Sequence, residues 1–139
     1  MKLIDTNIIV HAYNKDSPNH NKAKTIVKEL IEGKHVISVQ NILEFYSAIT
    51  KRVTTPLKPK IAKEKAFNLY KSNAKKIISN YNAIHKGIEL AADHNLRGGE
   101  IFDAILVATM LEYDIEIIIT ENEDHFKNYP IKVENPFKS

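Results

Sequence analysis

The stretch Met1-Lys2-Leu3-Ile4-Asp5-Thr6-Asn7-Ile8-Ile9-Val10 decides how this chain folds. Apolar residues begin almost at once, break for the polar triplet Asp5-Thr6-Asn7, and then resume. The pattern predicts a buried strand that ends on a polar edge. In a parallel α/β sheet both faces are covered by helices, so strands are apolar throughout and ligand-binding residues stand just past their carboxyl ends. Asp5 falls at such an end. The same residues suit a plainer role, because an Asp or Thr oxygen can cap a helix running from Asn7 to Tyr13.

Working outward, Ser17-Pro18 has the chemistry of an N-cap followed by proline at the first helical position. Ala23, Ile26, Val27, Leu30 and Ile31 then recur at helical spacing up to Gly33, which is placed to stop the helix. Val36 to Val39 is short and largely β-branched, a second strand. Asn41 to Arg52 carries Ile42, Phe45 and Ile49 along one helical stripe, with Glu44 in its first turn. Pro59 opens another helix through Ala62, Ala66, Leu69 and Tyr70. Lys75 to Ser79 is a short third strand, Ala83 to Asn95 a helix, and Leu96-Arg97-Gly98-Gly99 a turn. Ile101 to Glu112 is apolar nearly all round, which marks a buried helix. Ile115 to Thr120 is a strand with a polar carboxyl end, and Ile131 to Val133 a last, edge strand. Strands separated by helices throughout predict an α/β/α sandwich on a mostly parallel sheet, one domain over 1–139.

Composition narrows the function classes. With 43% apolar and 27% charged residues the chain has the make-up of a folded globular protein rather than a disordered one. It has no cysteine, so disulfides and thiolate metal sites are excluded, and any metal must be held by oxygen or imidazole. The longest apolar runs fall well short of the roughly 20 residues of a membrane span, and the early Asp5 does not suit a signal peptide; a cytoplasmic location is expected. A net charge of +3 is compatible with nucleic acid but equally common without it.

Asp103 is the most informative single residue, because it sits in Ile101-Phe102-Asp103-Ala104-Ile105-Leu106-Val107-Ala108, where little polar surface justifies a carboxylate. Burying an ionised carboxylate without a partner is costly, so a cation should meet it. A wet position in the helix's first turn, favoured by the dipole, is the bland account. Glu44 has one too: Asn41-Ile42-Leu43-Glu44 fits a capping box. Taken together the positions say more. Asp5 ends the first strand, Glu44 and Asp103 open helices near the carboxyl edge, and Thr120-Glu121-Asn122 ends a later strand. Three carboxylates and an amide oxygen on one rim would repel one another unless a divalent cation neutralised them, and oxygen-only ligation suits Mg²⁺ or Mn²⁺.

These segments, LIDTNI with Asp5, NILEFYSAI with Glu44, EIFDAILVAT with Asp103 and TENEDHF after the late strand, resemble the PIN domain, and within it the toxin ribonucleases of VapBC-type toxin–antitoxin pairs. The similarity runs from Met1 to about Pro136. The resemblance implies a metal-dependent endoribonuclease whose acids map onto Asp5, Glu44 and Asp103, leaving a 5′-phosphate and a 3′-hydroxyl. At the fourth position, often Asp, this chain has Asn122, which keeps a carbonyl acceptor but no charge; Glu121 or Asp124 could compensate. Thr6, Asn7 and Thr120 would support the acids by hydrogen bonds. A homodimer and an antitoxin whose C-terminal tail crosses the acidic groove are also implied, with Phe45, Tyr46 and Ile49 as apolar surface candidates.

The six histidines share no metal-ligand spacing and are read as surface or structural, His125 being the exception to watch because it adjoins the site. Lys51, Arg52, Lys58, Lys60, Lys63 and Lys65 could grip RNA phosphates, though such charges more often solvate a helix face. Arg97 could pair with one of the acids. A phosphoaspartyl phosphatase would want a second carboxylate two residues after Asp5, where Asn7 stands. An RNA-processing nuclease without an antitoxin and a non-catalytic binding module on the same fold are the other readings.

Overall fold

The computed structural model describes residues 1–138. Five strands, β1 (Leu3–Ile4), β2 (Val36–Ser38), β3 (Lys75–Ile77), β4 (Ile117–Ile119) and β5 (Lys132–Glu134), form one sheet in the order β3-β2-β1-β4-β5, and every pairing is parallel. Seven helices are described: α1 (Thr6–Tyr13), α2 (His20–Ile31), α3 (Val39–Lys51), α4 (Pro59–Tyr70), α5 (Tyr81–Asp93), α6 (Ile101–Glu112) and α7 (Glu123–Phe126).

Period-two alternation in very short strands builds two cores. Leu3, Val36 and Ile118 stand level with one another and face α5 and α6, where Ala91, Ala104, Val107 and Met110 meet them. Ile4, Ile37 and Ile119 face the other way, onto Ile8, Ile9, Val27, Leu30, Phe45 and Ile49 of α1 to α3, with Ala62 and Leu69 of α4 behind. The three layers follow from that alternation. Each fully buried isoleucine contributes roughly 2 kcal/mol of transfer free energy, enough for two- and three-residue strands to persist once sandwiched.

Several local expectations shift. The second helix does not start at Ser17-Pro18: the Ser17 hydroxyl is taken up by the His11 ring at 2.6 Å and the Asn19 N–H at 3.0 Å, and α2 begins at His20. Gly33 does end α2, at a φ of +94° that an L side chain would resist. Val39 belongs to α3 rather than to β2, because Ser38 caps that helix. Phe45 and Ile49 are core rather than surface, and the exposed apolar residues nearby are Leu43, Tyr46, Phe67 and Tyr70. The helix Ile101–Glu112 is mostly buried, but Phe102 is exposed. The short α7 has no counterpart in the sequence pattern.

Position follows from topology. From β1 the chain steps to β2 and β3 on one side, and from β4 to β5 on the other, so the winding direction reverses between β1 and β4. In open α/β sheets the crevice beyond the strands' carboxyl ends at such a point is where ligands bind.

Candidate active site

Asp5 stands at that reversal. Its backbone N–H is still in the sheet, donating to the Ile119 carbonyl at 3.0 Å, while its side chain already caps α1 by accepting from the Thr6 N–H at 2.8 Å. Asp5 therefore both ends β1 and caps α1. Its second carboxylate oxygen accepts from the Thr120 hydroxyl at 2.8 Å and the Asn7 amide at 3.2 Å. Thr120, fully buried at the end of β4, is a hub: its oxygen also accepts from the Asn7 amide at 3.1 Å and the Asn122 N–H at 3.0 Å. Asn7 closes the ring by accepting from the Glu121 N–H at 3.1 Å. These bonds stitch the ends of β1 and β4 together and fix the orientation of the carboxylate.

Glu44 reaches the same place by a route the sequence pattern obscures. The capping box of α3 is Ser38 with Asn41, not Asn41 with Glu44: the Ser38 hydroxyl accepts from the Asn41 N–H at 2.9 Å, and the Asn41 carbonyl oxygen accepts from the Ser38 N–H at 3.3 Å. Glu44 thus lies in the second turn, not the first, and is free of capping duty. Its carboxylate accepts from the Thr6 hydroxyl at 3.1 Å. Asn41, fully buried, donates to Thr6 at 3.0 Å and to Asp5 at 3.4 Å. Sequence reasoning treated it only as a helix cap, and a polar residue at a core-facing position was the signal that it reaches these side chains.

Asp103, at the third position of α6, is half-buried and faces His125 of α7, whose Nδ1 is 3.3 Å from its carboxylate. The group the fold sets beside this carboxylate is therefore an imidazole ring. Asp5, Glu44, Asp103 and Asn122 line one open cleft of about 490 Å³, together with Thr6, Asn7, His11, Arg52, Glu100 and His125 among others. Of the basic stretch, Arg52 reaches this cleft, whereas Lys63 borders an apolar groove and Lys65 lies over the Tyr13 ring. Arg97 makes no ion pair among the described residues.

The two acids offered as substitutes for a fourth carboxylate point elsewhere. The Glu121 side chain turns back to the His11 ring at 2.7 Å. The one-turn helix α7 carries Asp124 away from the cleft, 90% exposed and paired with Lys127 at 3.4 Å. Asn122 itself lines the cleft.

Burial pushes the Asp5 carboxyl up, against the hydrogen bonds from Thr120, Thr6 and Asn7 that hold it down. Glu44 is raised by burial and by the charges of Asp5 and Asp103. Asp103 rises to about 6, chiefly through burial; its partner His125 opposes the rise and Asp5 adds to it. Glu44 thus feels the charges of Asp5 and Asp103, and Asp103 that of Asp5, although among the described residues no three His, Cys, Asp or Glu side chains already surround one point. Mg²⁺ does not need such a cage, since it is usually held by one or two carboxylates with water and substrate phosphate completing its shell. The all-oxygen donor set and the unfavourable crowding of negative charge fit that ion.

Fold and site together define a doubly wound α/β protein with an acidic cleft at its switch point. The PIN domain profile matches residues 2–132, and the chain belongs to the PIN domain family. It is 28% identical over 138 residues to Ribonuclease VapC48 of Mycobacterium tuberculosis, covering 96% of this chain and 95% of that one. Among solved structures, Mycobacterium tuberculosis VapC20, described as a sarcin–ricin loop cleaving toxin, superposes with a TM-score of 0.75 at 15% identity, covering 97% and 100% of the two chains. A toxin–antitoxin complex from Klebsiella pneumoniae superposes with a TM-score of 0.71 at 20% identity, covering both chains fully.

Proposed function

We propose that this protein is a Mg²⁺- or Mn²⁺-dependent endoribonuclease, the toxin of a toxin–antitoxin pair, acting in the cytoplasm. One observation carries the reading: Asp5, Glu44 and Asp103, brought from a strand end and two helices, line a single cleft, where the charges of Asp5 and Asp103 raise Glu44 and that of Asp5 raises Asp103. The relatives named ribonuclease and the neighbours solved as toxin–antitoxin complexes support it.

Asp5, Glu44 and Asp103 would hold the ion, with Asn122 offering a neutral oxygen. When bound, the ion supplies positive charge that makes water a usable nucleophile near neutral pH and offsets charge on the phosphoryl oxygens. The rest is the work of the chain. Thr120, Asn7 and Asn41 hold the Asp5 carboxylate, and Thr6 holds Glu44, so that neither has to reorganise. Arg52 at the cleft wall is placed to bind an RNA phosphate. The products would be a 5′-phosphate and a 3′-hydroxyl.

An antitoxin would cover the acidic cleft with a peptide segment, and the exposed stripe of Leu43, Tyr46, Phe67 and Tyr70 is apolar surface that a second copy or that partner would bury. The test is cleavage of a structured RNA with Mn²⁺, wild type beside Asp5→Asn. Cleavage confined to wild type and abolished by EDTA is expected; a wild type that cuts nothing the variant leaves intact ends the nuclease reading in favour of a binding module. A neighbouring reading frame for a small DNA-binding protein separates a toxin from an RNA-processing nuclease.

A further inference from the structure

A second hollow, of about 270 Å³, opens directly beside the acidic cleft and shares Glu100, Asp103 and His125 with it. Its remaining wall is of a different kind. His94, at the end of α5, lies with its ring 5.2 Å from that of Tyr129 and tilted 38° to it, and Tyr129 in turn packs on Phe126 at 6.4 Å. The His94 Nδ1 donates to the Leu90 carbonyl at 2.9 Å, which fixes the ring's orientation. Among the described residues the side chains of Glu100 and Asn128 and the Tyr129 hydroxyl form no hydrogen bond, so each is available to a ligand.

We propose that this hollow is a nucleobase subsite, which takes the base adjoining the cleaved phosphodiester after it has left its stack. The inference rests on the nuclease reading above. Flat ring surface suits a base, because sequence-specific RNA recognition works on splayed bases stacked on aromatic side chains. A phosphate is unwelcome, since the lining carries the acids Glu100, Asp103 and Asp124 and no lysine or arginine. The same acids select among bases. Guanine presents N1–H and N2–H side by side, which a carboxylate accepts through both oxygens, whereas uracil presents one N–H between two carbonyls that a carboxylate repels. Glu100 is the acid free to do this, so the subsite favours guanine, with the exposed ring of His94, backed by the buried Tyr129, supplying most of the grip.

The experiment uses a pool of hairpin RNAs with randomised loops, cleaved with Mn²⁺ and sequenced at the new ends. The expected result is a guanine bias beside the cut, flattened in Glu100→Gln. Stacking of one base corresponds to about tenfold in KM, lost in His94→Ala with kcat within about twofold and restored by His94→Phe, which keeps a ring. The rescue separates stacking from a folding defect. Unchanged KM and site pattern in His94→Ala, or a guanine bias that survives Glu100→Gln, overturns the subsite while leaving the nuclease intact. A wild type that cleaves nothing defeats the nuclease reading instead, and binding then decides the subsite. Loop hairpins carrying 6-methylisoxanthopterin, a fluorescent guanine analogue that keeps N1–H and the 2-amino group, at each position in turn should be quenched by wild type and not by His94→Ala; absence of quenching overturns the proposal.

Discussion

Replacing Asp103 by Asn should make the metal-free protein more stable at neutral pH while destroying its chemistry. The folded protein raises this carboxyl from 3.8 to about 6, mainly because it is buried. A tenfold change in proton affinity is worth about 1.4 kcal/mol, so a rise of this size sets a ceiling of about 3 kcal/mol on what ionisation costs the fold. The side chain is 30% exposed, so screening by solvent reduces this to about 1–2 kcal/mol. The sign follows from linkage. Because the folded-state value lies above the unfolded one, the folded state binds the proton more tightly, and the penalty is absent below pH 3.8 and complete once the pH has passed about 6. Asn keeps the shape and the contact with His125 but has no charge to desolvate. Thermal denaturation in EDTA should therefore show Asp103→Asn melting about 3–6 °C above wild type at about pH 8, and level with it at about pH 4. Adding Mg²⁺ should raise the wild-type Tm more than the variant's. A variant no more stable than wild type at the higher pH, or equally favoured at both, would show that the Asp103 charge is comfortably solvated and would remove the electrostatic case for an ion.

Other perturbations probe the frame around the acids. Gly87→Ala on α5 places a Cβ 2.7 Å from the Ile105 side chain and 2.8 Å from its Cα, so α5 and α6 must part at a loss of about 1–3 kcal/mol; urea denaturation showing a loss under about 0.5 kcal/mol would mean the two helices are not locked there. Thr120→Val keeps the volume but removes the donor to Asp5 and the acceptor for two N–H groups, and should cost about 1–3 kcal/mol along with most RNA cleavage, measured on the same preparation; full activity would refute the orienting role. Asn122→Asp adds a further acid to the cleft and should tighten Mn²⁺ binding about tenfold by calorimetry while lowering metal-free stability at neutral pH; an unchanged Kd would place Asn122 outside the ion's reach.

Local sequence determined the alternation of strands and helices, because periods of two and 3.6 are written in consecutive residues. It also singled out Asp103, since a carboxylate in an apolar frame is out of place on grounds that need no coordinates, whereas Asp5 and Glu44 each had a helix-capping account and stood out only in combination and through the family resemblance. Tertiary structure decided the rest. Whether Glu44 capped α3 or faced the cleft turned on Ser38 taking the cap, which depends on where β2 stops pairing with β3. That His125 reaches Asp103 and Arg52 lines the cleft while Glu121 and Asp124 turn away depends on how one-turn α7 and the end of α3 sit on the finished sheet. So does the meeting of His94 with Tyr129 beside the cleft. The physical reason is range: periodicity and capping act within a turn or two of chain, whereas these encounters join residues tens of positions apart, and only the packing of both helical layers onto β1 brings them within a few ångströms.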